Sequence, residues 1–242
     1  MKRLAEHRQQ LVRFGSLLHQ NGFVSACDGN LSVRIDANTI LTTPTSVSKG
    51  MMSSDDMVLV DMQGRKVHGE RNASSELEMH LTIYRMRPDV DAVVHAHPAT
   101  ATAFASCGRA LEEPICSEVI VSLGAVPLAE YGTTGTPELS ESLLPWIPDY
   151  DAILLANHGA VAYGCDLMTA YLKMEAVEHF ARIMLAALQI GTPQRLSQPD
   201  IQKLVEARSR YEANKSIAPM PPGPIRRTRE EVSRTRFSDF KK

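Results

Sequence analysis

Two histidines stand one residue apart in the apolar run "VVHAHPATA", residues 93 to 101, and a proline follows at once. In a strand, alternate residues face one side about 6.6 Å apart along the chain, so the rings of His95 and His97 can converge on one ion. Two imidazoles alone fit a satisfied core as well as a ligand pair. His158 alters that balance: it ends another apolar run in "LLANHGAV" and precedes Gly159, which lets backbone or ligand approach closely. Three imidazoles at strand ends suit a catalytic zinc, which takes three protein ligands and leaves one position open.

Of the other histidines, His7, His19, His68 and His179 fall on helix faces or in a turn with nothing ligand-like beside them, and read as surface or boundary residues. His80 lies four residues after Glu76 on the same helical face and reads as a residue that orients its neighbours. Glu76 is the candidate acid/base. It follows Ser74 and Ser75 at a helix start, where hydroxyls and free backbone N–H groups meet a positive helix end, an arrangement that binds phosphate but also serves as plain capping. "DGNLSVR", with Gly29 and Asn30, and "TPTSVSKG", with Thr45, Ser46 and Lys49, offer similar groups in ordinary turn vocabulary.

These residues need a scaffold of alternating elements. Residues 2 to 20 place Leu4, Leu11, Phe14, Leu17 and Leu18 at near-helical spacing and stop at Asn21-Gly22. Short strand-like pieces follow in "LSVRI", "TILTT" and the hairpin "MVLVDMQGRKV". "SSELEMHLTIYRMRP" reads as a helix ended by Pro88, "DAVVHAH" as a strand, and "PATATAFAS" as a short helix opened by Pro98. The second half repeats the alternation with "SEVIVSL" and "AVPLAEYG" as extended pieces, a helix "PELSESLLPWI" and one apolar strand "DAILLANHGAVAYG". A long helix from about Asp166 to Ile190 stops at Gly191, and a shorter one runs from about Gln198 to Asn214. The fold class is α/β, with a mostly antiparallel central sheet flanked by helices.

With 242 residues the chain fits a single sizeable core, expected over 1–218, with a proline-dense and then basic tail at 219–242. The formal net charge of −2 gives no basic field for nucleic acid or anionic membrane. No basic-then-apolar leader and no apolar run of about 20 residues is seen, so the expected location is cytoplasmic. Cys27, Cys107, Cys116 and Cys165 are scattered without a CxxC pair, which argues against a thiolate zinc knuckle or a thioredoxin-like centre.

Taken in order, "GNLSVR", "TPTSVSKG", "SSELEMHLTIYRMRPDVDAVVHAHP", "YGTTGTPEL", "LLANHGAV" and "AYLKMEAVEHFARIM" resemble the class II aldolase/adducin family, in particular its L-fuculose-1-phosphate aldolase branch. The resemblance spans roughly residues 5 to 190. It implies a three-layer fold, one divalent metal per subunit (zinc, or manganese, cobalt or iron) held by His95, His97 and His158, and Glu76 as catalytic base. It further implies a sugar-phosphate substrate gripped by Asn30, Ser74, Ser75 and the Thr45-Ser46 segment, and a homotetramer with active sites near subunit interfaces. Where the family commonly has glycine in its Thr-Pro-Ser/Thr-Gly motif, this chain has Ser46.

The implied chemistry is cleavage of a ketose 1-phosphate between C3 and C4, through a metal-stabilised enediolate, to dihydroxyacetone phosphate and an aldehyde. The tyrosine that serves the aldehyde oxygen in the fuculose enzyme has no counterpart in "PICSEVIVS", which leaves Glu118 and Tyr131 as candidates for the second acid/base. Decarboxylase, dehydratase and epimerase chemistry on the same scaffold are alternatives. A non-catalytic module like the adducin head is the alternative of another class. The metal triad and Glu76 separate it from an enzyme, and all four residues are present.

Overall fold

A computed structural model describes residues 2–212; the tail at 219–242 and the last residues of the helix expected to reach Asn214 lie outside them. Eight strands form one sheet: β1 (Asn30–Arg34), β2 (Thr39–Thr42), β3 (Val58–Asp61), β4 (Lys66–His68), β5 (Ala92–Ala96), β6 (Leu128–Ala129), β7 (Ala152–Leu155) and β8 (Gly159–Gly164). Their order is β4-β3-β2-β1-β5-β8-β7-β6. Every pairing is antiparallel except that of β6 with β7. Seven α-helices accompany the sheet among the described residues: α1 (Lys2–Gln20), α2 (Leu77–Met86), α3 (Ala99–Ser106), α4 (Ser117–Ser122), α5 (Pro137–Leu143), α6 (Leu167–Ile190) and α7 (Gln198–Glu212).

Period-two burial builds two cores from one sheet. Ala92, Val94 and Ala96 of β5, with Ala160 and Ala162 of β8, join Leu11, Phe14 and Leu18 of α1, Phe104 of α3, and Met174 and Phe180 of α6. The alternate residues Val93, Val161 and Tyr163 join Met79, Ile83 and Tyr84 of α2 and Leu139 of α5. His95 therefore faces the side covered by α2. So do Asn30 and Ser32 of β1, because they lie opposite His95 and Val93 in the ladder.

Local signals explain most boundaries. Helix α1 ends where Gly22 takes a left-handed φ of 69° and Phe23 N–H returns to the Leu18 carbonyl. Helix α6 starts at Asp166, whose carboxylate accepts from Thr169 N–H at 2.6 Å. Two readings are corrected. "SEVIVSL" is not extended but forms α4, because Val119 and Leu123 are buried one turn apart and the helix packs on α6 and α7. "DAILLANHGAVAYG" is not one strand but the hairpin β7–β8, reversed at Asn157, whose φ of 56° is left-handed.

Candidate metal centre and active site

Three elements end at one place. His95 is the fourth residue of β5, His97 lies one past its end, and His158 sits in the β7–β8 turn. Their ring centroids form a nearly equilateral triangle with sides of 4.8, 4.7 and 4.9 Å. His95 is fully buried and its Nδ1 lies 2.9 Å from the Ala160 carbonyl. A carbonyl oxygen only accepts, so Nδ1 carries a proton and Nε2 is the ring atom that points inward, free to act as the ligand. His97 Nε2 lies 3.0 Å from that nitrogen. Gly159 makes the approach possible: a Cβ there would meet His97 Cδ2 at 2.5 Å and the Ala96 carbonyl at 2.6 Å.

Glu76 closes the triangle from the start of α2. Its Oε1 is 3.1 Å from His158 Nε2 and its Oε2 is 3.3 Å from His95 Nε2. Burial works to raise the Glu76 pKa, but the imidazoles of His95 and His158 outweigh it and hold the carboxyl well below the usual range. Burial, and then His95 and His158, push His97 down to about 4, which keeps that ring neutral and leaves one of its nitrogens available as an electron-pair donor. One ligand atom from each histidine falls within 4.8 Å of the other two, so the triad can hold a metal ion. The donor set agrees: three imidazole nitrogens with a carboxylate beside them, Glu76 Oε1 and Oε2 each lying within 3.3 Å of one of the rings.

The phosphate candidates are brought to the same end of the sheet in part. Pro44 bridges Ala73 and Thr45 N–H donates to the Asn72 carbonyl, so the Thr45-Ser46 segment lies alongside the loop leading to Ser74 and Ser75. Ser74 Oγ accepts from Glu76 N–H at 3.2 Å. A Cβ on Gly135 would come within 3.9 Å of Ser75, so the "YGTTGTPEL" loop reaches the same rim. Ser46 has a φ of 58°, the left-handed conformation for which glycine is the unstrained residue. Lys49 is buried and ties two loops together, donating to the Cys27 carbonyl at 3.1 Å and the Val47 carbonyl at 2.6 Å; burial lowers its pKa.

Asn30 is engaged at both ends of its amide, donating to Glu76 Oε2 at 2.8 Å and meeting His80 Nε2 at 2.5 Å. Glu118 is exposed on α4 and accepts from the Cys116 thiol, and Tyr131 is 61% exposed after β6. Among the described residues neither makes a hydrogen bond or ion pair with the triad.

Three further residues take part in the site. Asp28 Oδ2 is 3.6 Å from His97 Nδ1, on the ring edge away from the centre. Ser32 and Tyr84 stand behind His80, with Ser32 Oγ 2.7 Å from His80 Nδ1 and 2.8 Å from Tyr84 Oη. A signal was available: Asn30, Ser32 and Arg34 alternate along an apolar strand, and Glu76, His80 and Tyr84 recur every four residues on one helix face.

Comparisons with known proteins point to one family. The profile of the family described as "Class II Aldolase and Adducin N-terminal domain" matches residues 9–185. A 5-deoxy-D-ribulose 1-phosphate aldolase of Bacillus thuringiensis serovar kurstaki is 32% identical over 205 residues, covering 84% of this chain and 95% of the relative. A 3-oxo-tetronate 4-phosphate decarboxylase of Pectobacterium atrosepticum is 34% identical over 182 residues, covering 73% of this chain and 83% of the relative. Among solved structures, an L-fuculose 1-phosphate aldolase matches with a TM-score of 0.78 at 33% identity, covering 84% of this chain and 95% of its own.

Proposed function

This chain belongs to the class II aldolase and adducin family as an aldolase-type lyase, and we propose that it cleaves a ketose 1-phosphate between C3 and C4 to dihydroxyacetone phosphate and an aldehyde. The observation that carries the reading is the convergence of three imidazoles on a largely enclosed, ionised Glu76. A divalent metal held by His95, His97 and His158, with zinc the best match to three imidazoles, supplies when bound the positive charge that stabilises the electron pair left on C3.

The chain's own groups do the rest. Ionised Glu76 takes the proton from C3 in the condensation direction; in cleavage it delivers to C3 a proton taken up from solvent, which balances the one the C4 hydroxyl gives up. Ser74, Ser75, Thr45, Ser46 and the second amide hydrogen of Asn30 hold the phosphate at the rim, which fixes the carbon presented to Glu76. Glu118 or Tyr131 takes the proton of the C4 hydroxyl as the carbonyl of the aldehyde forms, reaching the site from a neighbouring subunit of a homotetramer. Their exposure in the single chain is consistent with that origin. The proposed catalytic domain is residues 1–218, and the proposed three layers are those of its described part, the sheet with helices on both faces. No helix among the described residues is long and apolar enough to cross a membrane, which accords with a cytoplasmic enzyme.

The decarboxylase relative supports a second reading in which the same centre stabilises the electron pair left by loss of CO2 from a 3-oxo acid phosphate. Side-by-side assays of zinc-loaded protein separate the two. Triose phosphate released from ketose 1-phosphates supports the aldolase, whereas CO2 released only from 3-oxo-tetronate 4-phosphate transfers the activity to the second reading.

A further inference from the structure

Four buried polar side chains stand in single file behind Glu76, between β1 and α2. Asn30 Nδ2 donates to Glu76 Oε2 at 2.8 Å, Asn30 Oδ1 lies 2.5 Å from His80 Nε2, His80 Nδ1 lies 2.7 Å from Ser32 Oγ, and Ser32 Oγ lies 2.8 Å from Tyr84 Oη. Each of the four is no more than 2% exposed.

The direction of every bond follows from one end. Asn30 Nδ2 is the atom next to Glu76 and can only donate, so the Asn30 carbonyl oxygen is the one that faces His80. That oxygen only accepts, so the His80 proton sits on Nε2. Burial first, and then His95, push the His80 pKa down to about 3, so the ring is neutral and Nδ1 keeps its lone pair. The Ser32 hydroxyl donates to Nδ1, and Ser32 Oγ accepts from the Tyr84 hydroxyl. All four donors thus point toward Glu76 Oε2, an alignment in which successive bonds polarise one another.

Packing does not account for the file. Leu77, Met79, Leu81, Ile83 and Val93 around it are buried apolar residues. Apolar side chains of the same shape in place of a satisfied polar set would leave stability nearly unchanged. The set does leave a chemical asymmetry: Oε2 accepts from the Asn30 amide behind it, while Oε1 faces the imidazole of His158 at 3.1 Å on the side of the triad.

We propose that His80 is a positioning residue for proton transfer: its Nε2–H fixes the Asn30 amide, which pins Glu76 through Oε2 and reserves Oε1 to carry the substrate proton. The role rests on Glu76 being the base at C3. Ser32 and Tyr84 hold His80 in the required tautomer, so their removal acts through the same ring.

Two measurements on the full chain test this. In the zinc-loaded protein with 15N-labelled imidazoles, His80 is expected as the neutral Nε2–H tautomer at pH 7; an Nδ1–H tautomer or an imidazolium overturns the proposal whatever the variants do. Exchange of the C3 hydrogen of dihydroxyacetone phosphate with solvent deuterium then reads Glu76 without any aldehyde. His80→Phe is expected to lower the exchange kcat about 30-fold, with KM and zinc per chain within about twofold of wild type. His80→Gln, which keeps a donor toward Asn30, should recover to within about fivefold of wild type, and Tyr84→Phe should lose about threefold. Unchanged kcat in His80→Phe, or equal loss in the Phe and Gln variants, overturns the positioning role. Absence of exchange in zinc-loaded wild type removes Glu76 as the C3 base and the role of His80 with it, and is told apart from failure of His80 alone by the wild-type rate.

Discussion

Gly159 and His97 touch through a face where no side chain fits: a Cβ on Gly159 would lie 2.5 Å from His97 Cδ2. The first residue of β8 therefore sets how closely the hairpin carrying His158 can approach the strand carrying His95 and His97.

Gly159→Ala should be costly for both stability and metal binding. Overpacking of this kind costs about 1–3 kcal/mol, and displaced ligands lower metal affinity about tenfold or more. Denaturant unfolding and competition with a chromophoric zinc chelator read the two effects. Wild-type affinity in a folded variant would contradict the contact's role.

Ser46 holds a left-handed φ of 58° on an exposed loop. Glycine adopts that conformation without the Cβ penalty, so Ser46→Gly should stabilise the chain by about 0.5–1 kcal/mol. The expected result is a higher denaturant midpoint at constant m-value. A lower midpoint would show that the serine makes a compensating contact.

Acid should destabilise the metal-free protein, and His80 supplies the reason. Its pKa is pushed down to about 3 in the fold against an unfolded value of 6.5, so between those values the unfolded chain binds the extra proton. Stability from this group is complete above about pH 6.5 and falls as pH drops toward 3. From pH 7 to pH 5 it accounts for about 2 kcal/mol. His97, pushed down to about 4 chiefly by burial, acts in the same direction. His95 is raised: burial works against this, but Glu76 outweighs it, so His95 opposes the trend. His80→Gln should flatten the slope of unfolding free energy against pH across this window, and an unchanged slope would contradict a neutral His80.

The site was legible where a residue's type and its local spacing carry the information. His95 and His97 show their common face through the strand period alone, and Glu76 and His80 through one helical turn. What depends on long-range pairing was not legible. Ser32 becomes a partner of Tyr84 only because β1 lies beside β5 under α2, a fact no window of the sequence contains. Two elements were misread for opposite reasons. In α4, Val119, Ile120 and Val121 favour an extended chain, and the packing of Val119 and Leu123 overrides that preference. In β7–β8 the apolar run conceals a reversal, although Asn157 and Gly159 within it are turn residues.

The most direct test of the central claim is release of dihydroxyacetone phosphate from L-fuculose 1-phosphate, ribulose 1-phosphate and 5-deoxyribulose 1-phosphate by zinc-loaded protein, with a chelated sample and Glu76→Gln beside it. The account predicts release from at least one of them, abolished by chelation and reduced about 100-fold or more in Glu76→Gln, whose metal content stays at wild type. Release that survives chelation, or a Glu76→Gln variant as active as wild type, would contradict it.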